Sequence, residues 1–187
     1  GTYGKRSDKI EYSTVDLYQV YRLAGLIKGS EENGGNRTEF KAGIVYDTRD
    51  LDSAPSHGIW ADICLNGSPD IYGDGFNYLK LCAHFRQYVP VIRDRMTFAY
   101  HLAYQGTIAG QVPFYMQQYI TTLYLRQIIS EGLGSINTVR GCLFNRMVGD
   151  GYAWANFELR TKIIDFNFLN QGWYLAVNPF LDLGAIT

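Results

Sequence analysis

The amino-acid sequence predicts an all-β protein, an antiparallel meander of about six strands with one short helix ahead of it. Three observations point there. The chain carries 20 Gly and 15 Tyr, and aromatics make up 15% of it, a composition that favours strands and turns. From about Glu39 the apolar residues recur with a period of two. Between these runs, short turns alternate with longer loops rich in Gly, Asp, Ser and Pro.

The elements follow in chain order. Ser13 to Ile27 has helical spacing, with Leu17, Val20, Tyr21 and Ala24 on one face. Ser13 or Thr14 caps it, Asp16 falls in its first turn, and Gly25 or Gly29 ends it. Glu31 to Asn36 is a loop. In the first strand Phe40, Ala42, Ile44 and Tyr46 share a face, opposite Glu39, Lys41, Gly43, Asp47 and Arg49. A turn at Asp50 to His57 leads to a strand with Ile59, Ala61, Ile63 and Leu65 opposite Trp60, Asp62, Cys64 and Asn66. After the loop Asn66 to Gly75, a long strand runs to Pro90. It sets Leu79, Leu81, Ala83, Phe85 and Val89 against Lys80, Cys82, His84 and Arg86.

A short turn near Arg93-Asp94 precedes a strand to about Gln105, in which Met96, Phe98, Tyr100, Leu102 and Tyr104 alternate with Arg95, Thr97, His101 and Gln105. Gly106 to Gly151 breaks the rhythm and is too long for a hairpin loop, so it is expected to have structure of its own. Within it, Gln118 to Ile129 fits a strand extension or a helix. Tyr152 to Ile163 then sets Ala153, Ala155, Phe157, Leu159 and Ile163 against Trp154, Asn156, Glu158, Arg160 and Lys162. Trp173 to Leu183 groups Trp173, Leu175, Val177, Leu181 and Leu183 opposite Tyr174, Asn178 and Asp182.

Each strand thus has an apolar face and a polar, charged one. Alternation alone does not say which is outside. In a soluble sandwich the polar face meets water; in a membrane barrel the apolar face meets lipid and the polar face lines the lumen. The strand lengths approach the ~9–11 residues of a tilted spanning strand. Trp60, Tyr88, Trp154 and Trp173 lie near strand ends, where an aromatic girdle sits. Both details favour the barrel.

Composition narrows the function. A length of 187 residues suits one domain or part of a larger one, and 47% hydrophobic with 19% charged residues predicts an ordered chain. A net charge of −1 argues against a strongly basic nucleic-acid binder. No stretch approaches the ~20 apolar residues of a transmembrane helix. The start, Gly1 to Arg6, has neither an apolar leader core nor Met, which predicts an excised or processed piece. Cys64, Cys82 and Cys142 form no close pair in sequence, and the turn between the first two is expected to hold them several residues out of register.

No nucleophile elbow, phosphate loop or zinc-protease helix is present. Glu158 and Asp182 admit a glycosidase reading, but two inward carboxylates with an Arg in reach suit a structural ion cluster better. The chain is read as no enzyme. His84 and His101 fall nearly opposite on the polar face without an evident third ligand, so no metal or cofactor is expected.

Three motifs remain. Tyr46-Asp47-Thr48-Arg49-Asp50 is followed by Pro55 and Gly58. Val139-Arg140-Gly141-Cys142 is followed by Asn145-Arg146, Gly149-Asp150-Gly151 and Trp154 to Arg160. Phe180-Leu181-Asp182-Leu183-Gly184 closes the series. In order and spacing these resemble the C-terminal barrel of the Omp85 superfamily, the BamA/TamA group of outer-membrane assembly proteins, over about Glu39 to Thr187. Cys142 departs from the aromatic residue of the family's Val-Arg-Gly-aromatic motif, and Phe144 is the nearest aromatic downstream.

The resemblance implies part of a sixteen-stranded barrel in the outer membrane of a Gram-negative bacterium. Gly106–Gly151 would be its long sixth extracellular loop, folded back into the barrel. The strands would be the eighth to thirteenth, and the helix would belong to another extracellular loop. The last three strands, the first half of the barrel and the periplasmic POTRA domains would lie outside this chain. Insertion and folding of β-barrel proteins, or protein translocation, is the implied role. The implied partners are the lipid bilayer, unfolded outer-membrane protein clients and accessory periplasmic or lipoprotein subunits. The competing readings are a soluble ligand-binding sandwich and a passive pore.

Glu158 and Asp182 fall on the polar faces of consecutive strands, so in a barrel they point inward together and offer a place for a guanidinium. Arg140 precedes them on the loop, and the resemblance assigns such an Arg to those acidic positions. The expectation is a latch from Arg140, beside Val139 and Gly141, to Glu158 and Asp182. Gly141 is expected to permit a tight turn and close approach to the wall. Asp47 and Arg49 suit either a charge network at the periplasmic rim or a turn with surface charges.

Overall fold

The computed structural model describes residues 17–25, 27, 38–71, 73, 77–123 and 129–187. Helix α1 (Leu17–Leu23) covers part of the expected helix. Gly25, at φ 73°, ends it in the left-handed conformation that glycine takes at little cost. The proposed caps Ser13 and Thr14, Asp16, Gly29 and the loop Glu31 to Asn36 lie outside the described residues.

The strands are β1 (Phe40–Asp47), β2 (Gly58–Ser68), β3 (Tyr78–Ile92), β4 (Met96–Gly110), β5 (Tyr119–Ile120), β6 (Ile129–Ser130), β7 (Tyr152–Phe168), β8 (Gln171–Val177) and β9 (Phe180–Ile186). All pairings are antiparallel. The main sheet runs β1-β2-β3-β4-β7, and both β8 and β9 pair with the far side of β7. The β5–β6 pair is a separate small hairpin.

Several boundaries differ from expectation. β4 continues to Gly110, so the long loop spans 111–151. The undecided stretch supplies β5 and the start of β6, flanking residues outside the description. The single strand expected over Trp173 to Leu183 is two strands, interrupted at Asn178-Pro179. Proline has no N–H for the ladder, yet its carbonyl still accepts from Leu159 N at 3.0 Å, so the break is local. β7 runs on to Phe168, past a bulge between Lys162 and Ile164. Leu169 and Asn170, at φ 51° and 59°, form the two-residue turn into β8.

Two register expectations are corrected. Ser68 pairs with Tyr78 across the β2–β3 loop, which places Cys64 directly opposite Cys82, not several residues away. Both thiols are buried and free. The β3–β4 turn centres on Asp94, so His84 pairs with Ala103 and Arg86 with His101. The two histidines are therefore diagonal neighbours, still within reach of each other.

Burial settles which face is outside. On β2, Trp60, Asp62, Cys64, Asn66 and Ser68 are buried, while Ile63 and Leu65 are exposed. On β3, Lys80, Cys82 and His84 are buried. On β4, Leu102 and Tyr104 are exposed and Ala103 and Gln105 are buried. Apolar out and polar in reverses the soluble pattern and is the arrangement of a lipid-facing wall. The soluble sandwich is thereby set aside. The same faces correct the expected girdle. Trp60 and Trp154 are buried on the inner side, and the Tyr88 ring lies beneath Arg160, whereas Trp173 is half exposed.

What covers the inner face is the long loop. Ile120, Leu133 and Val139 of the loop pack with Ala103, Tyr152 and Trp154 of the wall in one buried cluster. A second cluster joins Tyr78 to Val112 and Met116. The core of this chain thus lies between a polar sheet face and its own loop.

Candidate functional site

The site is the seam between loop 111–151 and the wall. Wall side chains hold the loop mainly by its backbone. Gln105 on β4 donates through Nε2 to Tyr119 O at 2.9 Å and accepts from Thr121 N at 2.7 Å. Lys41 on β1 donates to Thr122 O at 2.5 Å. Tyr152 donates its hydroxyl to Gln117 O at 2.7 Å and accepts from Gly149 N at 3.0 Å. Asn156 on β7 donates through Nδ2 to Thr138 O at 2.5 Å. Buried carbonyls and amides need such partners, because an unpaired one costs about 1–3 kcal/mol.

Arg140 lies where the seam carries charge. Its Nε and Nη2 donate to Asp182 Oδ2 and Oδ1, both at 2.7 Å, and its backbone N–H reaches Oδ2 at 2.9 Å. Its Nη1 donates to Glu158 Oε1 at 2.5 Å. The planar fork of a guanidinium suits this two-point contact, and a Lys could not copy it. The ring of Phe180 lies 3.9 Å beneath the guanidinium carbon. The Asp182 hydrogen bonds, opposed by burial and helped by Glu158, push the Arg140 pKa further above its ordinary value.

Two carboxylates against one guanidinium leave a negative charge over. Arg160 supplies the balance, donating from Nε to Glu158 Oε2 at 2.9 Å. The alternation placed Arg160 on the polar face but did not single it out. Gln105, Asn156, Tyr152 and Lys41 were also missed as fasteners. Their partners are main-chain atoms of a distant loop, which leave no pattern in the sequence.

The motif residues flanking Arg140 and Asp182 meet as well. A Cβ on Gly184 would lie 2.7 Å from Val139 Cγ2, so the bare glycine makes room for Val139. Gly141 takes φ 87°, a left-handed turn that favours glycine. Nothing lies within 4 Å of where its Cβ would stand, so its role is the turn and not close approach to the wall.

Asp47 and Arg49 form a compact turn of their own. Arg49 donates from Nε and Nη2 to the two Asp47 oxygens at 2.9 and 2.8 Å, and from Nη1 to Asp52 O at 3.3 Å. Asp50 accepts from Ser56 Oγ and N at 2.6 and 2.9 Å, and the Ser56 hydroxyl foremost holds its carboxyl well below the usual range. This cluster belongs to the β1–β2 turn and is remote in sequence from the Arg140 seam. Among the described residues no three His, Cys, Asp or Glu side chains group as a metal site.

A family model described as an Omp85 superfamily domain matches residues 2–187. No curated protein and no solved structure matches the chain.

Proposed function

Because the chain belongs to the Omp85 superfamily, whose members assemble or translocate membrane proteins, we propose that residues 1–187 are part of a C-terminal outer-membrane barrel in a Gram-negative bacterium. In this reading the complete barrel inserts and folds β-barrel clients or moves a protein across the membrane. Unfolded outer-membrane proteins are its clients, the bilayer its solvent, and periplasmic or lipoprotein subunits its accessories. Loop 111–151 acts as an internal strap whose position is set by the Arg140 latch.

The observation that carries this reading is the meeting of two sequence motifs at one point. Val139 stands over Gly184, and Arg140 grips Asp182 above Phe180. Two segments 42 residues apart in sequence interlock, and neither set of residues has another evident use. The covered inner face also favours this role over a passive pore, which needs an open lumen.

The test is Arg140→Ala in the complete protein. Removing Arg140 leaves the buried Asp182 without its cation and Glu158 with Arg160 alone, at a cost of about 3 kcal/mol. Opening of the loop should rise by about a hundredfold, read as faster proteolytic cleavage within 111–151. Client-barrel assembly should fall with it. Full loop protection together with full assembly activity would refute the latch.

A further inference from the structure

We infer that the open edge of β7 past Lys162 is a docking site for an extended strand of a barrel client. The inference deepens the assembly reading above and rests on it. β7 pairs with β4 only as far as Thr161 opposite Met96, and the last link on that side is Lys162 N donating to Arg95 O at 2.8 Å. There the chain turns back through residues 93–95 into β3. On its other side β7 stays paired with β8 down to Phe168 opposite Gln171. Among the described residues, 163–168 thus have a neighbouring strand on one side alone. At ~3.3 Å per residue this is about 20 Å of open edge. All residues of 162–168 and of β8 are exposed. This edge is not where the sheet of this chain ends, because β7 has strands on both sides nearer Tyr152.

The turn fixes which backbone groups are free. Leu169 and Asn170 are both at positive φ, and in such a two-residue turn the flanking pair, Phe168 and Gln171, exchanges both hydrogen bonds. Bonding alternates from there, so Phe166 and Ile164 also spend their N–H and C=O on β8. The N–H and C=O of Asp165 and Asn167 point to the open side. An extended peptide lying there meets donors and acceptors at the spacing of a ladder. Open edges are commonly blunted by Lys or Pro. Residues 163–168 carry neither.

The side chains identify the occupant. Ile164, Phe166 and Phe168 share a face with Leu175 and Trp173, and this face continues the apolar outer wall. Asp165 and Asn167 lie on the opposite, polar face, with Tyr174 across from Asp165. In hydrocarbon an open edge does not persist, and in water a two-stranded ribbon is marginal by itself. Both surroundings favour a third strand. To fit, that strand must be apolar on the outer side and polar on the other. A strand of an unfolded outer-membrane barrel has this alternation and needs its apolar side in lipid. A strand of a soluble accessory subunit keeps its apolar side on its own core and does not supply it. The client strand would continue the line of β4 beyond Met96, at the end of the wall away from loop 111–151.

The experiment uses the complete protein in a lipid bilayer and, as probe, a small outer-membrane barrel delivered unfolded from urea. Asp165→Pro and Asn167→Pro each remove an edge N–H and spare the β7–β8 bonds. Each should slow folding of the probe about fivefold, the effect of one lost backbone hydrogen bond. In the unmodified protein, amide exchange at Asp165 and Asn167 should slow when excess unfolded probe is added, with Phe166, already bonded to β8, as the reference. Unchanged exchange at both overturns the inference even if the proline variants fail to fold. An equal loss in Asp165→Ala, which keeps the amide proton, overturns it too. So does full activity in a proline variant whose loop 111–151 stays protected from protease. Failure of the assembly reading looks different, since the unmodified protein would then not speed folding of the probe at all, and the inference would fall with it.

Discussion

Arg140 divides its donors unequally between its two acids. Asp182 receives three of the four hydrogen bonds and its side chain is 3% exposed, whereas Glu158 receives one and is shared with Arg160. The two carboxylates should therefore not be equivalent. Asp182→Asn is expected to cost about 3 kcal/mol of loop docking, and Glu158→Gln about 1 kcal/mol. Loop cleavage rates in the two variants of the complete protein check this, and equal or reversed effects would show that the charges act only as a pool. Gly184 offers a steric counterpart. An added methyl would press on Val139 at 2.7 Å and on Leu133 at 3.3 Å, and both are held in the buried cluster. Gly184→Ala should therefore destabilise the docked loop by about 1–3 kcal/mol, seen as a lower melting temperature of the folded barrel. An unaltered melting temperature would mean that Val139 moves aside freely.

Among the elements, the loop depends on the wall more than on itself. Among the described residues, its own helical and strand structure amounts to one short 3₁₀ turn, Phe114–Met116, and the two-residue strands β5 and β6. Gln105 holds its first half by two opposite hydrogen bonds, one donated and one accepted. Gln105→Leu keeps the bulk and removes both, leaving Tyr119 O and Thr121 N without these partners. That should cost about 2 kcal/mol, and amide exchange at Thr121 in the complete protein should quicken accordingly. Unchanged exchange would mean that the hairpin holds itself. This division also explains what could be read from sequence. The wall strands were legible because alternation is a short-range property of each strand. Glu158 and Asp182 were legible because like charges placed inward need a cation, and it was the resemblance that singled out Arg140 as that cation. Gln105 was not, since its partners are backbone atoms that any residue carries. The Cys64–Cys82 pairing depends on how the connection 69–77 folds, which face alternation does not encode.

For the whole molecule, the decisive property is that the sheet is inside out relative to a soluble protein. Ile63, Leu65, Leu102, Leu181 and Leu183 face outwards, while Asp62, Lys80, His84 and Gln105 are buried. The β7 bulge keeps this surface continuous. Past it, Ile164, Phe166 and Phe168 pair with Leu175, Trp173 and Gln171, and the two phenylalanines and Trp173 stay exposed. Without the extra residue, a one-residue slip would turn them to the other face. The three tryptophans therefore report on orientation. Trp173 is 50% exposed on the outer surface, whereas Trp60 and Trp154 are 4% and 5% exposed on the inner side. In bilayers of phospholipid with brominated chains, bromine quenches indoles it can approach. Trp173→Phe in the complete protein should remove a quenchable share of the fluorescence. Trp60→Phe and Trp154→Phe should remove only signal that bromine does not reach. The reverse result would place the charged face against lipid, where each unpaired charge costs about 2–4 kcal/mol at the midplane, and the barrel reading of this chain would have to be abandoned.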